Sequence, residues 1–166
     1  MNYFADCENK SAFCIQNMVI LVQNIFLLTL VYACAVFDIK SYTIPNSLII
    51  IGVVISALFL IVRCSQKGFF YGIRYLIGSF FVLLLMFLVA VVSKGSLGGG
   101  DVKLVTVICL FIGLSKTLIC VLLACVIGIF VFVLSYITKR YISKIPFVPG
   151  VLLSLWYILC IDNGVV

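Results

Sequence analysis

Asp38 and Asp101 stand apart from every other residue of this chain as candidates for chemistry. The 166 residues include only five acids. Asp6, Glu8 and Asp162 lie near the ends, and the other two sit where long apolar runs stop or start. Two carboxylates without a metal can hydrolyse a peptide. Held a few ångström apart they cannot both ionise easily, so one pKa rises and the pair shares a proton. The ionised partner then takes a proton from water while the protonated partner polarises the scissile carbonyl. Competing chemistries are poorly supplied. There is no histidine, which removes Ser–His and Cys–His catalysis, His-ligated metals and His proton relays. The eight cysteines form no C-x-x-C pair, so neither a zinc nor a redox site is expected, and no cofactor is implied. Most of them lie inside apolar runs, where free Cys acts as a small hydrophobe. Cys7, Cys14 and Cys64 fall outside those runs, which leaves a disulfide among them open. Serines and lysines are present, but no arranged Ser–Lys pair stands out.

The elements that must position the two acids are membrane helices. Hydrophobic residues make up 66% of the chain and charged residues 10%, and the mean hydropathy is +1.40. A soluble domain of this length needs a polar surface that these residues cannot supply. A crossing helix needs roughly 20 apolar residues. Runs of that kind span about 18–37, 47–62, 76–92, 102–114, 117–137 and 147–161. The third is ambiguous at its start, because 69–78 contains Arg74. The fourth is short for a full span and must be lengthened or shielded by its neighbours. Pro45 suits the first turn of the second helix, where its missing N–H costs nothing. No basic segment precedes the first run, so a cleaved signal peptide is not expected. The expected fold is therefore all-α, a single domain over 1–166 built as a polytopic transmembrane bundle of about six spans.

Charge gives orientation. The net charge is +6, with the basic residues scattered through short connections and no aromatic-interleaved patch, so topology rather than nucleic-acid binding accounts for it. Lys40, Lys94, Lys103, Lys139, Arg140 and Lys144 share one side, and Lys10, Arg63, Lys67, Arg74 and Lys116 the other. The acids Asp6, Glu8 and Asp162 all fall on the second side, which puts the first side in the cytoplasm and both termini outside. Asp38 ends the first run and Asp101 starts the fourth. Two spans lie between them, an even number, so both fall on one membrane face. Periodicity does not say whether the first and fourth helices meet. Composition also leaves a plainer reading open: both acids could mark helix ends, and Asp101 could cap the fourth helix. Acids at the membrane edge of an acid-poor chain are nevertheless functional candidates by default.

Gly98, Gly99 and Gly100 precede Asp101 in the one glycine-dense stretch. Glycine permits positive φ and close backbone approach, so an extended substrate could pair with this segment. Gly95 and Gly100 have the separation of a phosphate-binding P-loop, but Asp101 occupies the Lys position and would repel phosphate.

Gly98-Gly99-Gly100-Asp101 resembles the G-x-G-D motif of intramembrane aspartic proteases, and with Val102-Lys103-Leu104 it resembles the G-x-G-D-x-K-[LF] form of type IV prepilin peptidases. The segment from Asp38 to Ile44-Pro45-Asn46 is similar to that family's first site, an Asp followed at fixed distance by I-P-N. Lys144-Ile145-Pro146-Phe147-Val148-Pro149 resembles its late I-P-F-x-P element. The resemblance covers about 18–160. It implies catalysis by Asp38 and Asp101, with Gly98, Gly99, Gly100, Lys103, Pro45 and Asn46 supporting the substrate backbone and the site loops. It also implies a multi-pass protein of the cytoplasmic membrane with its active site facing the cytoplasm. The implied partner is a prepilin or pseudopilin-like substrate, cut between a short basic leader and the hydrophobic helix that follows.

The chain lacks the paired C-x-x-C motifs and the cytoplasmic domain associated with N-methylation in longer members, so no methyltransferase activity is expected. It resembles the short form found with tight-adherence (Flp-type) pilus systems. The P-A-L motif of the presenilin branch is absent. Two other classes compete: a proton- or cation-coupled transporter, which calls for broken helices in repeated halves that the sequence does not show, and a non-catalytic subunit of a pilus or secretion assembly, in which either Asp is replaceable.

Overall fold

The computed structural model describes residues 2–41, 43–93, 98–137 and 147–162, with side chains from Gln16 onward except at Lys67, Ser135, Tyr136 and Asp162. These residues form six helices: α1 (Asn2–Ser41), α2 (Asn46–Lys67), α3 (Phe69–Val92), α4 (Gly99–Ile112), α5 (Leu114–Ile137) and α6 (Val148–Asp162). The all-helical expectation holds. Most helices are longer than their apolar runs. The helix of the first run extends back to Asn2, and the ambiguous 69–78 stretch is continuous with the third helix. Hydropathy marks the part of a helix that prefers hydrocarbon, whereas backbone hydrogen bonding carries the helix on into its polar ends. Gly68 (φ 93°) and Gly113 (φ 85°) break the chain between α2 and α3 and between α4 and α5. Both use the left-handed conformation that glycine adopts without strain, and each N–H closes back on a carbonyl of the helix just ended.

Four helices are long and apolar enough to cross a membrane: the segments Gln16–Ser41, Asn46–Gln66, Phe69–Val92 and Leu114–Leu134. The outward faces of α3 and α5 expose Phe80, Phe87, Leu88, Leu122 and Phe130, a surface suited to lipid and not to water. The chain is thus a multi-pass membrane protein.

α4 is different. Its 14 residues rise only about 21 Å, short of a hydrocarbon core of roughly 30 Å. It is shielded rather than lengthened. α1–α2, α2–α3, α3–α5, α5–α6 and α6–α1 contacts close a ring, and α4 lies against α1, α2, α3 and α5 within it. Val102, Leu104, Val105, Val107, Ile108 and Phe111 are all buried. Gly52 lets α2 approach this centre: a Cβ there would come within 2.9 Å of Leu30 and 3.0 Å of Val107. Gly150 does the same for α6, whose backbone comes up against Ala124 of α5. Cys34, Cys109 and Cys120 are buried free thiols, the packing role expected for them. Cys64 is also a free thiol; Cys7 and Cys14 lie outside the described side chains, and so does the disulfide left open with them.

Phe111 is the largest fully buried side chain among the described residues and packs between the rings of Phe26 and Phe59, both 6.3 Å away. Truncation there removes a wedge common to α1, α2 and α4. Phe111→Ala is expected to cost about 3 kcal/mol, at the low end for a buried aromatic, and to lower the thermal midpoint measured in detergent without loss of helical circular dichroism below the transition.

Candidate active site

The three sequence segments singled out above meet at one end of the bundle. Asp38 lies one turn before the end of α1 and is buried, 7% exposed. Its Oδ2 accepts a hydrogen bond from the Val148 backbone N–H at 3.1 Å. Val148 is the first residue of α6 and is itself fully buried. The first-turn donors of α6 are thereby all accounted for. Val148 N–H goes to Asp38, Pro149 has none, and the Gly150 and Val151 N–H groups both reach the Phe147 carbonyl. The Phe147-Val148-Pro149 part of the late motif is thus a seat for Asp38; Lys144, Ile145 and Pro146 lie outside the described residues, as do Lys94, Gly95, Lys139 and Arg140.

Asp101 is the third residue of α4, half-buried, and its carboxylate turns back over Gly98. Asp101 stands ahead of the apolar part of α4, at the edge of the bundle. Burial pushes its pKa up to about 6, the neighbouring Asp38 charge pushes the same way, and a hydrogen bond from the Gly98 backbone opposes both. The two carboxylates therefore lie within electrostatic reach of each other, which the span count allowed and did not require. The N-termini of α6 and α4 both lie at this end, and their partial positive charges favour an anion there.

The glycines serve one of the two uses expected of them. Gly98 is extended (φ −65°, ψ 137°), and Gly99 and Gly100 form the first turn of α4, so none of the three uses positive φ. Close approach is what they provide. A Cβ on Gly100 would lie 3.0 Å from the Ile44 Cβ. The first site's I-P-N segment thus rests on the glycine turn that carries Asp101. Pro45 sits just before α2, not inside its first turn (φ −66°, ψ 130°), and its carbonyl accepts the Leu48 N–H at 3.1 Å. Asn46 opens α2, and its Oδ1 accepts from Lys103 Nζ at 3.2 Å, a second tie between the same two segments. Gly99 has open space where a side chain would stand.

A family model of the type IV leader peptidase family matches residues 25–133. The chain belongs to that family. The matched stretch takes in Asp38, the I-P-N segment and the glycine turn with Asp101, while Phe147 and Val148 lie beyond it. Membership puts the chain in a peptidase family. No curated protein and no solved structure matches it.

Sequence reasoning missed a second polar cluster at the opposite end of the bundle. Gln23 and Asn24 are buried on α1, and Gln23 donates to the Phe111 carbonyl at 2.7 Å. Arg63 donates to the same carbonyl at 3.0 Å and to Gln23 Oε1. The available signal was an adjacent pair of amides in the middle of an apolar run, where such groups need partners.

Two outcomes follow. Gly100→Ala is expected to force α4 away from Ile44 and to cost about 1–3 kcal/mol, read as a lower thermal midpoint. Asp101→Asn is expected to stabilise the protein at neutral pH. A carboxyl whose pKa is raised by folding, from 3.8 to about 6, binds more protons folded than unfolded between those values, so wild-type stability falls as pH rises through that window. The variant lacks this loss. Thermal unfolding from about pH 4 to about pH 8 should show the two curves close at the acid end and the Asn variant higher above about pH 6.

Proposed function

We propose that the chain is an intramembrane aspartic endopeptidase in which Asp38 and Asp101 act as one proton-sharing pair. The observation that carries this reading is the electrostatic coupling of the two carboxylates at the meeting point of three motif segments. The pair activates water with its ionised member and polarises the scissile carbonyl with its protonated member. Raising of the Asp101 pKa by burial and by Asp38 is what a shared proton requires. The proton belongs to the pair, so neither residue is assigned the base. Gly98, Gly99, Gly100 and Lys103, with Pro45 and Asn46, hold the two segments together and present the exposed, side-chain-free Gly99 to an extended substrate.

The substrate class is a prepilin or pseudopilin-like protein, with a short basic leader cut from the hydrophobic helix behind it. Such a protein inserts with its leader junction at a membrane edge, where this pair lies. The even span count and the distribution of Lys and Arg support a cytoplasmic edge. The absence of C-x-x-C pairs from the sequence supports the tight-adherence pilus type and excision of the leader without methylation.

One observation favours a purely structural role for Asp38, namely its bond to the first N–H of α6. Asparagine separates the two roles, because its amide oxygen still accepts that N–H but cannot carry the proton. Asp38→Asn and Asp101→Asn are each expected to abolish leader removal from a co-expressed pilin-like substrate, followed by gel mobility and N-terminal sequencing, while remaining folded. Normal processing by either variant would sink the carboxylate-pair mechanism.

A further inference from the structure

The helix pair that holds Asp38 leaves an apolar groove on its outer side. Asp38 lies on α1 and accepts its hydrogen bond from the first residue of α6, so the two helices meet at the site. Beyond that junction a cavity of about 360 Å³ opens between them, lined by Leu28, Thr29 and Tyr32 of α1 and by Leu152, Leu153 and Trp156 of α6. Leu28 and Leu152 pack against the core as its half-buried floor. Tyr32 and Trp156 stand 62% and 60% exposed, one from each helix. We propose that this groove seats the hydrophobic helix of the substrate, an inference that rests on the peptidase reading above.

Position argues for that occupant. Counted from the junction at about 1.5 Å per residue, Leu152 lies roughly 6 Å along α6 and Tyr32 roughly 9 Å back along α1. Trp156 follows at roughly 12 Å and Leu28 at roughly 15 Å. The groove thus starts about one turn inward from Asp38 and covers nearly two turns of depth. A substrate cut at the pair carries its apolar helix into the hydrocarbon beside the cut, which is where the groove lies. Packed helices stand on the order of 10 Å apart, and an extended chain covers about 3.3 Å per residue. About four extended residues therefore join a helix seated here to a bond cut at the pair.

Chemistry separates a peptide from a lipid tail. Thr29 Oγ1 donates within α1, to the Phe26 carbonyl. The Tyr32 hydroxyl and the Trp156 indole N–H have no hydrogen bond among the described residues. A donor facing hydrocarbon is costly until an acceptor reaches it. An acyl chain carries no acceptor at this depth, whereas a peptide helix brings carbonyl and side-chain oxygens. The two rings also give large, rigid contact area at little cost in side-chain entropy, which is why Tyr and Trp dominate binding surfaces.

The test uses the full chain in nanodiscs with a substrate that keeps both leader and hydrophobic helix, and follows cleavage against substrate density in the membrane. Tyr32→Ala and Trp156→Ala truncate exposed side chains and leave the core intact. Each is expected to raise KM about threefold or more with kcat unchanged, because packing and hydrogen bonds hold helices together in lipid. Leu122→Ala, on the exposed face of α5, is the control for altered lipid contact and is expected to change neither constant. For direct contact, photoreactive benzoylphenylalanine replaces Leu153 in the Asp101→Asn protein, which retains its substrate uncut. A crosslink to the substrate's hydrophobic helix is expected. Crosslinks only to lipid or to a second copy of this chain, or an unchanged KM in either groove variant, overturn the proposal. Those outcomes with cleavage at the wild-type kcat leave the peptidase reading standing, whereas a wild-type protein that cuts nothing removes that reading and the groove's role with it.

Discussion

Hydrocarbon cannot hydrogen-bond a backbone or a charge, and the arrangement of this protein follows from where that demand is met. α4 is too short to cross alone and is enclosed by the ring of the other helices. Its apolar middle, from Val102 to Ile112, is the centre of the core, so its two ends are the places where polar groups can be concentrated without contacting lipid. One end carries Asp101 and meets Asp38, the Ile44-Pro45-Asn46 segment and the start of α6. The other offers the Phe111 carbonyl to Gln23 and Arg63. Both polar clusters are thus fixed to one buried rod and held apart by its length.

The seating of Asp38 illustrates how a carboxylate is kept in such a place. A buried polar group is costly unless a partner bonds it. Here the α6 N-terminus supplies a backbone N–H and a favourable dipole. Pro149 removes the next donor from the accounting, so α6 starts cleanly with a single side-chain acceptor. Asp101 accepts its bond from Gly98, which does not offset burial and the nearby charge, and its proton affinity rises. The two acids are inequivalent because their helix ends are inequivalent.

Glycine shows why residue type and residue use differ. The dense glycines before Asp101 permit both positive φ and close approach, and two of them are helical and the third extended. Their use is proximity: the Ile44 Cβ lies 3.0 Å from where a Cβ on Gly100 would stand. The glycines that do take positive φ, Gly68 and Gly113, are isolated ones at helix junctions.

Membrane residence, the six helices and the shared face of Asp38 and Asp101 were legible from the chain alone. Each depends on local transfer free energy summed over a run of neighbours in sequence, and on counting crossings. The resemblance of three ordered motifs added the family, which the family match then established. Tertiary structure alone decided which helix is enclosed, that the α6 N–H seats Asp38, that Gly100 receives Ile44, and that Gln23, Asn24 and Arg63 gather at the far end. These are contacts between residues distant along the chain, up to 110 positions apart for Asp38 and Val148. Packing complementarity across the whole bundle selects them, and hydropathy, which reads one helix at a time, carries no term for it.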